Sequence, residues 1–321
     1  MEPMSTAHFG RRLLVGIVLA AMLAGCDNLQ PPSAANGSMP QAPVRTENAA
    51  TGASWMSPAA KHSDLLYVAG SEGPSSVVYV FSYPSGKPAG MIEHAVSGLC
   101  TDAHGNVFMT QTWYSASRIL EYAHGGTKPI SQLSDPYSGV AGCAVDSASG
   151  DLAVEHTEDG TTLIYAHARG KPRVVHNFLV ATRYAAYNDA GALFTFGAAD
   201  RVRIAELAKN GKSFVRIALA QRIDVPIGIQ WQGKSMALGD GLQYTSGLTF
   251  IYRMAVKGRK AMTKGETSLG SSSNAFFIHG NTIAVSQGDE VAVYDYPGGG
   301  EPISTIPDVE SAGSLAVSDA P

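Results

Sequence analysis

Gly98-Leu99-Cys100-Thr101-Asp102-Ala103-His104-Gly105-Asn106-Val107-Phe108-Met109 returns 44 residues later as Gly142-Cys143-Ala144-Val145-Asp146, three further residues, then Gly150-Asp151-Leu152-Ala153-Val154. A short apolar run, an aspartate, a glycine and a second apolar run are two strands joined as a hairpin. Looser copies follow at 184–195, 228–238 and 274–285, with Gly191, Gly233 and Gly280 at the turn. Six further apolar strands recur at 78–83, 118–122, 162–165, 202–207, 249–252 and 291–296. Each leads through another glycine turn, such as Gly86-Lys87-Pro88 or Gly170-Lys171-Pro172, to a shorter apolar stretch. Four strands in every forty or so residues is the period of a β-propeller blade. The first blade, opening at Leu65-Leu66-Tyr67-Val68, lacks its inner strand, and the chain ends in the missing phrase, Gly313-Ser314-Leu315-Ala316-Val317-Ser318-Asp319. The expectation is an all-β, six-bladed propeller over 62–321, built of four-stranded blades. Its carboxy-terminal strand completes blade one and leaves no open edge.

The Gly-Leu-Cys-Thr-Asp and Gly-Cys-Ala-Val-Asp phrases with their turn glycines resemble NHL-type repeats and related bacterial six-bladed propellers, over nearly all of 64–319. In that group blades serve protein binding, RNA binding, sugar-lactone hydrolysis or lyase chemistry, so the resemblance implies an architecture and leaves the activity open.

Residues 1–25 read as a secretory signal. Arg11 and Arg12 precede an apolar run from Leu13 to Ala24, which is too short to span a bilayer. Leu23-Ala24-Gly25-Cys26 resembles the bacterial lipobox, which implies a lipidated Cys26 at the start of the mature chain. Asp27 after it slightly favours the inner membrane, by the same resemblance. The expected location is therefore the cell envelope, lipid-anchored and extracytoplasmic. From Cys26 to Lys61 the composition of Pro, Ser, Ala, Asn, Gly and Gln reads as a flexible linker.

Charged residues make up only 16% of the 321, with 23 Lys and Arg against 27 Asp and Glu. No cationic excess is available to neutralise phosphates, so a nucleic-acid partner is not expected.

The chemistry-bearing motifs are sparse. Gly228-Ile229-Gln230-Trp231-Gln232-Gly233-Lys234-Ser235 satisfies the Walker A pattern, but its middle residues occupy a strand slot and no helix pattern follows. Cys100 and Cys143 stand two and three residues ahead of their aspartates and so face opposite ways on neighbouring inner strands. They read as free, buried thiols. The histidines show no zinc spacing, and no Gly-x-Ser-x-Gly elbow occurs. The metal-dependent gluconolactonase-like propellers hold their ion with carboxylates and amides converging on the channel. The matching stations here, Val96-Ser97, Val140-Ala141, Thr182-Arg183, Val225-Pro226, Ser272-Ser273 and Ser311-Ala312, carry no carboxylate. Asp102 and Asp146 read as turn-setting.

No catalytic, cofactor or metal residue is therefore expected. What remains is a loop face holding Trp113, Tyr114, Tyr137, His156, Arg183, Arg222 and Tyr244, rich in the aromatic and arginine anchors of binding surfaces. The functional expectation is a non-catalytic, membrane-tethered binding module for an envelope protein, peptide or glycan. The alternative is a metal-dependent hydrolase or lactonase.

Overall fold

The computed structural model describes residues 53–112, 117–198, 202–241 and 247–321. The leader and Cys26 lie outside these, as do Trp113, Tyr114 and Tyr244.

The fold grows from its turns. Asp102 Oδ1 accepts the N–H groups of His104 at 2.9 Å and Asn106 at 2.8 Å, and Gly105 sits at φ +77°. Asp146 accepts the Ala148 N–H and the Ser149 hydroxyl beside Gly150, and Asn188 accepts the N–H groups of Ala190 and Ala192 beside Gly191. A short side-chain acceptor bonding the backbone just ahead, with a glycine in the left-handed region, reverses the chain. Asp102 and Asp146 are thus turn residues.

The first run comprises β1 (Trp55–Met56), β2 (Leu65–Glu72), β3 (Ser75–Ser82) and β4 (Lys87–Ile92). Next come β5 (Gly98–Thr101), β6 (Val107–Thr112), β7 (Ser117–Tyr122) and β8 (Pro129–Asp135), then β9 (Val140–Val145), β10 (Leu152–His156), β11 (Thr161–Tyr165) and β12 (Arg173–His176). These are followed by β13 (Val180–Tyr187), β14 (Leu193–Ala198), β15 (Val202–Leu207) and β16 (Val215–Leu219). The chain continues through β17 (Pro226–Gln232), β18 (Ser235–Asp240), β19 (Thr249–Lys257) and β20 (Lys260–Leu269). The last run is β21 (Ala275–His279), β22 (Thr282–Ser286), β23 (Val291–Asp295) and β24 (Ser304–Ile306), and β25 (Leu315–Ser318) ends the fold.

β25 pairs antiparallel with β2, setting Leu65 opposite Ser318 and Val68 opposite Leu315, as the tail phrase predicts. The strands β25, β5, β9, β13, β17 and β21 touch in that order, and β21 returns to β25, so the inner strands make a closed ring. The architecture is all-β and propeller-like. Side chains alternate between the two faces of each sheet, and both faces are covered. Leu99, Met109 and Leu120 pack with Tyr67 of the sheet before, while Cys100, Phe108 and Ile119 pack with Val154 and Leu163 of the sheet after.

Three features depart from expectation. β13–β16 and β17–β20 join in one eight-stranded sheet. The β19–β20 hairpin is long enough for Lys260 and Ala261 to pair in parallel with Ala218 and Leu219 at the outer edge of the preceding run. Second, the stretch read as linker up to Lys61 enters the fold at Trp55. β1 pairs with β4, and His124 bridges the Ala60 carbonyl at 3.0 Å and the Ser318 hydroxyl at 2.7 Å, fastening the 3-10 helix Pro58–His62 to the tail.

Third, Cys100 and Cys143 are not free thiols but a disulfide, with Cα atoms 5.7 Å apart. The forward face of one sheet meets the backward face of the next, so the one-residue offset that points the two cysteines opposite ways is what brings them together. The phrase glycines let the inner strands come close. A Cβ on Gly98 would lie 2.3 Å from the Ala141 carbonyl oxygen, and one on Gly142 would lie 2.2 Å from that of Arg183. Gly228–Ser235 forms the β17–β18 hairpin with Gly233 at its turn, so it is not a phosphate loop.

Candidate functional site

The inner strands enclose a central cavity of about 630 Å³. Its lining residues are mostly small or apolar, and among them the charged ones are Arg183 and Asp189. Gln230 lines it but is occupied, donating to the Ile278 carbonyl and accepting the Ile278 N–H, both at 2.7 Å. A hard cation needs six or more oxygens, several of them charged. A single lining carboxylate does not supply that set, so the lining does not fit the channel metal of the lactonase alternative.

Arg183, one of the lining residues, lies at a bulge in β13. Between the pairs Val180–Ala198 and Tyr184–Phe196, three residues of β13 oppose Gly197 alone, and Ala181 takes φ +52°. Bulges re-aim side chains, and a non-glycine residue at positive φ persists only where its surroundings hold it. Thr182 does the holding, its buried hydroxyl donating to the His156 carbonyl at 2.9 Å. Arg183 is exposed, and its guanidinium has no hydrogen-bond or ion-pair partner among the described residues.

Beneath the bulge is a buried polar cluster. His156 faces two acceptors, the Thr161 carbonyl from Nδ1 at 3.2 Å and Asp135 Oδ2 from Nε2 at 3.0 Å. Only the imidazolium satisfies both. Burial alone would depress its pKa, but the hydrogen bond and charge of Asp135, the Thr161 carbonyl and the charge of Glu155 together raise it. Asp135 also accepts the Tyr137 N–H at 3.0 Å, and the Tyr137 ring meets the imidazole edge-on at 5.6 Å. Glu155, on the other face of β10, is fully buried and accepts the Thr162 hydroxyl at 3.1 Å. Burial pushes its pKa up to about 7 against the opposing pull of Thr162, Thr182 and His156.

The residues expected on one loop face therefore divide. Tyr137 and His156 lie together, but His156 is wholly buried and structural. Arg183 stands at the cavity. Arg222 is exposed, paired with Asp224 at 2.6 Å. The acidic loop residues have local duties: Asp159 accepts the Thr161 N–H, Glu158 accepts the Ser138 hydroxyl, and buried Asp240 accepts the Val225 N–H. Sequence reasoning missed Asp135 and Thr182. Their roles beside His156 bear no local signal, because that residue is more than twenty positions away from each.

Comparison with protein-family profiles and with curated sequences finds no match. Among solved structures, a chain of a nidogen/laminin complex superposes with a TM-score of 0.63 at 12% identity, covering 80% of this chain and 99% of that one. A functionally unknown protein from Desulfotomaculum acetoxidans DSM 771 superposes with a TM-score of 0.54 at 10% identity, covering 80% and 90%. In all, 1203 solved chains match. So wide a likeness defines the class, an all-β propeller-like fold, and assigns no activity.

Proposed function

We propose that this chain is a six-bladed, NHL-like propeller, tethered to a membrane by a lipid on Cys26 and displayed outside the cytoplasm. In this reading it binds an envelope protein, peptide or glycan at the end of the ring marked by Arg183. The six-blade reading takes the eight-stranded sheet as two blades bridged at their outer edges by the short parallel contact. The observation that carries the binding reading is Arg183, an exposed residue at a strained bulge in the lining of the central cavity, left without a carboxylate partner among the described residues. An unpaired guanidinium at a concave mouth suits a carboxylate, sulfate or phosphate on the ligand. The disulfide supports an oxidising compartment, and the lipobox-like run supports the tether.

The test is capture from detergent-solubilised envelope, scored by mass spectrometry for wild type, Arg183→Ala and Arg222→Ala. A specific partner should be lost at least about tenfold with Arg183→Ala and retained with Arg222→Ala, a rim pair already neutralised by Asp224. Equal capture by all three would refute the site. In parallel, Cys26→Ser should move the protein from the membrane pellet to the soluble fraction.

A further inference from the structure

The two ends of the fold meet beside β21, and three side chains converge there. Asp64 immediately precedes β2, Asp319 immediately follows β25, and His279 ends β21. His279 Nε2 lies 3.4 Å from Asp64 Oδ2, and its Nδ1 lies 3.5 Å from Asp319 Oδ1. One ligand atom from each residue falls within 4.8 Å of the others. We propose that Asp64, His279 and Asp319 form a site for one divalent transition-metal ion of the zinc type, which joins the carboxy-terminal strand to the strand it closes against.

The residue types choose the ion. An imidazole with two carboxylates is a zinc-type donor set, whereas calcium and magnesium take oxygen ligands. Three protein ligands with the remaining position open to water is an ordinary arrangement for zinc.

Two of the three donors are oriented by outer partners, as metal ligands generally are. The Ala320 N–H donates to Asp64 Oδ1 at 3.0 Å, leaving Oδ2 turned toward the imidazole. The Tyr83 ring meets the His279 ring edge-on at 5.6 Å, and its hydroxyl is tied to Thr282 at 2.7 Å. The third donor, Asp319, has a side chain 64% exposed. It is free to make the last adjustment, since two donors on opposite sides of a zinc ion lie at most about 4.4 Å apart. Among the described residues neither carboxylate has a lysine or arginine partner. The two carboxylates face different nitrogens of one ring, so a single ion takes one nitrogen with its neighbouring carboxylate and draws the other carboxylate round to it, and a dication balances the two negative charges.

A metal here would make closure of the ring depend on an ion. Its ligands come from the first strand after the 3-10 helix, from the last run and from the tail, so binding is possible only when the three are assembled. The site sits where inner strands end, while Arg183 stands near the start of β13, so it does not rest on the binding reading above.

The experiment uses the full chain, stripped with chelator and dialysed against zinc, manganese, calcium or magnesium. Bound metal is then counted and thermal unfolding followed. Zinc should bind at one per chain and raise the melting temperature, with no matching response to calcium or magnesium. Asp64→Asn, His279→Gln and Asp319→Asn should each weaken zinc binding at least about tenfold. Asp319→Asn is the decisive variant, since an exposed tail residue can change without unfolding the ring. The proposal is overturned if wild type binds no zinc. It is equally overturned if the His279→Gln and Asp319→Asn proteins bind it as tightly as wild type, or if calcium acts as strongly as zinc.

Discussion

Glu155 shows how much a single residue can impose on this molecule. It lies on β10 with no solvent contact, and His156, next to it in the chain, already serves Asp135. Its folded pKa of about 7 stands above the ordinary 4.5. The folded state therefore holds the proton more tightly than the unfolded chain. The stability so gained is fully present below pH 4.5 and is lost as pH rises toward 7, by something on the order of 3 kcal/mol. His156 contributes a loss of the same sign at higher pH, since its folded pKa is raised above 6.5 and its share is kept below that pH and lost as pH rises beyond it. Replacing Glu155 with Gln, which keeps the shape and removes the titration, should flatten that decline. Urea unfolding at pH 4.5 and 7.5 measures it, and an unchanged pH slope in the variant would show that Glu155 is not the group responsible. Asp135 and His156 behave differently: removing one partner strands a buried charge, so either single alanine change should cost about 3–5 kcal/mol.

At the scale of elements, the inner strands are where sequence reasoning succeeded and failed together. β5 and β9 are legible because their turn residues act within four positions of themselves, and Asp102, Asn106 and Gly105 announce the hairpin wherever it lies in space. The bond between Cys100 and Cys143 is not legible in the same way. Their opposite facing is visible in the phrases, but whether that separates or joins them depends on how neighbouring sheets stack. The two cysteines enclose a separation of 43 residues, for which loop closure in the unfolded chain corresponds to about 4 kcal/mol. Changing both cysteines to serine should lower the unfolding free energy by up to that amount, read as a shift in the denaturant midpoint. A reductant should do the same to the wild type and nothing to the double variant. The join between β16 and β20 is equally beyond local reading, because only the length of the β19–β20 hairpin carries Lys260 and Ala261 to the neighbouring edge.

The whole molecule depends on its last strand. Leu315 and Val317 are almost fully buried in a cluster that includes Leu66, Val68 and Val293, and β25 covers the edge of β2 that would otherwise be open. Deleting residues 315–321 should destabilise the fold by more than about 3 kcal/mol from those two side chains alone. It should also expose a strand edge prone to pairing with other chains. Size-exclusion chromatography and thermal unfolding would show this as self-association and a broadened or lost transition. A truncated protein as monomeric and as stable as the wild type would mean that β25 is dispensable.

By itself the amino-acid sequence determined the repeating strands, the turns between them and the return of the tail to Leu65–Val68, because periodicity and turn chemistry act over a few residues. It also put Arg183 among the residues to examine. The pairing of the cysteines, the burial of His156 against Asp135, the bulge at Arg183 and the meeting of Asp64, His279 and Asp319 were decided by the tertiary structure alone. Each depends on contacts between separate sheets or between opposite ends of the chain, and such distances are set by how sheets stack around a closed ring, a quantity that no local pattern encodes.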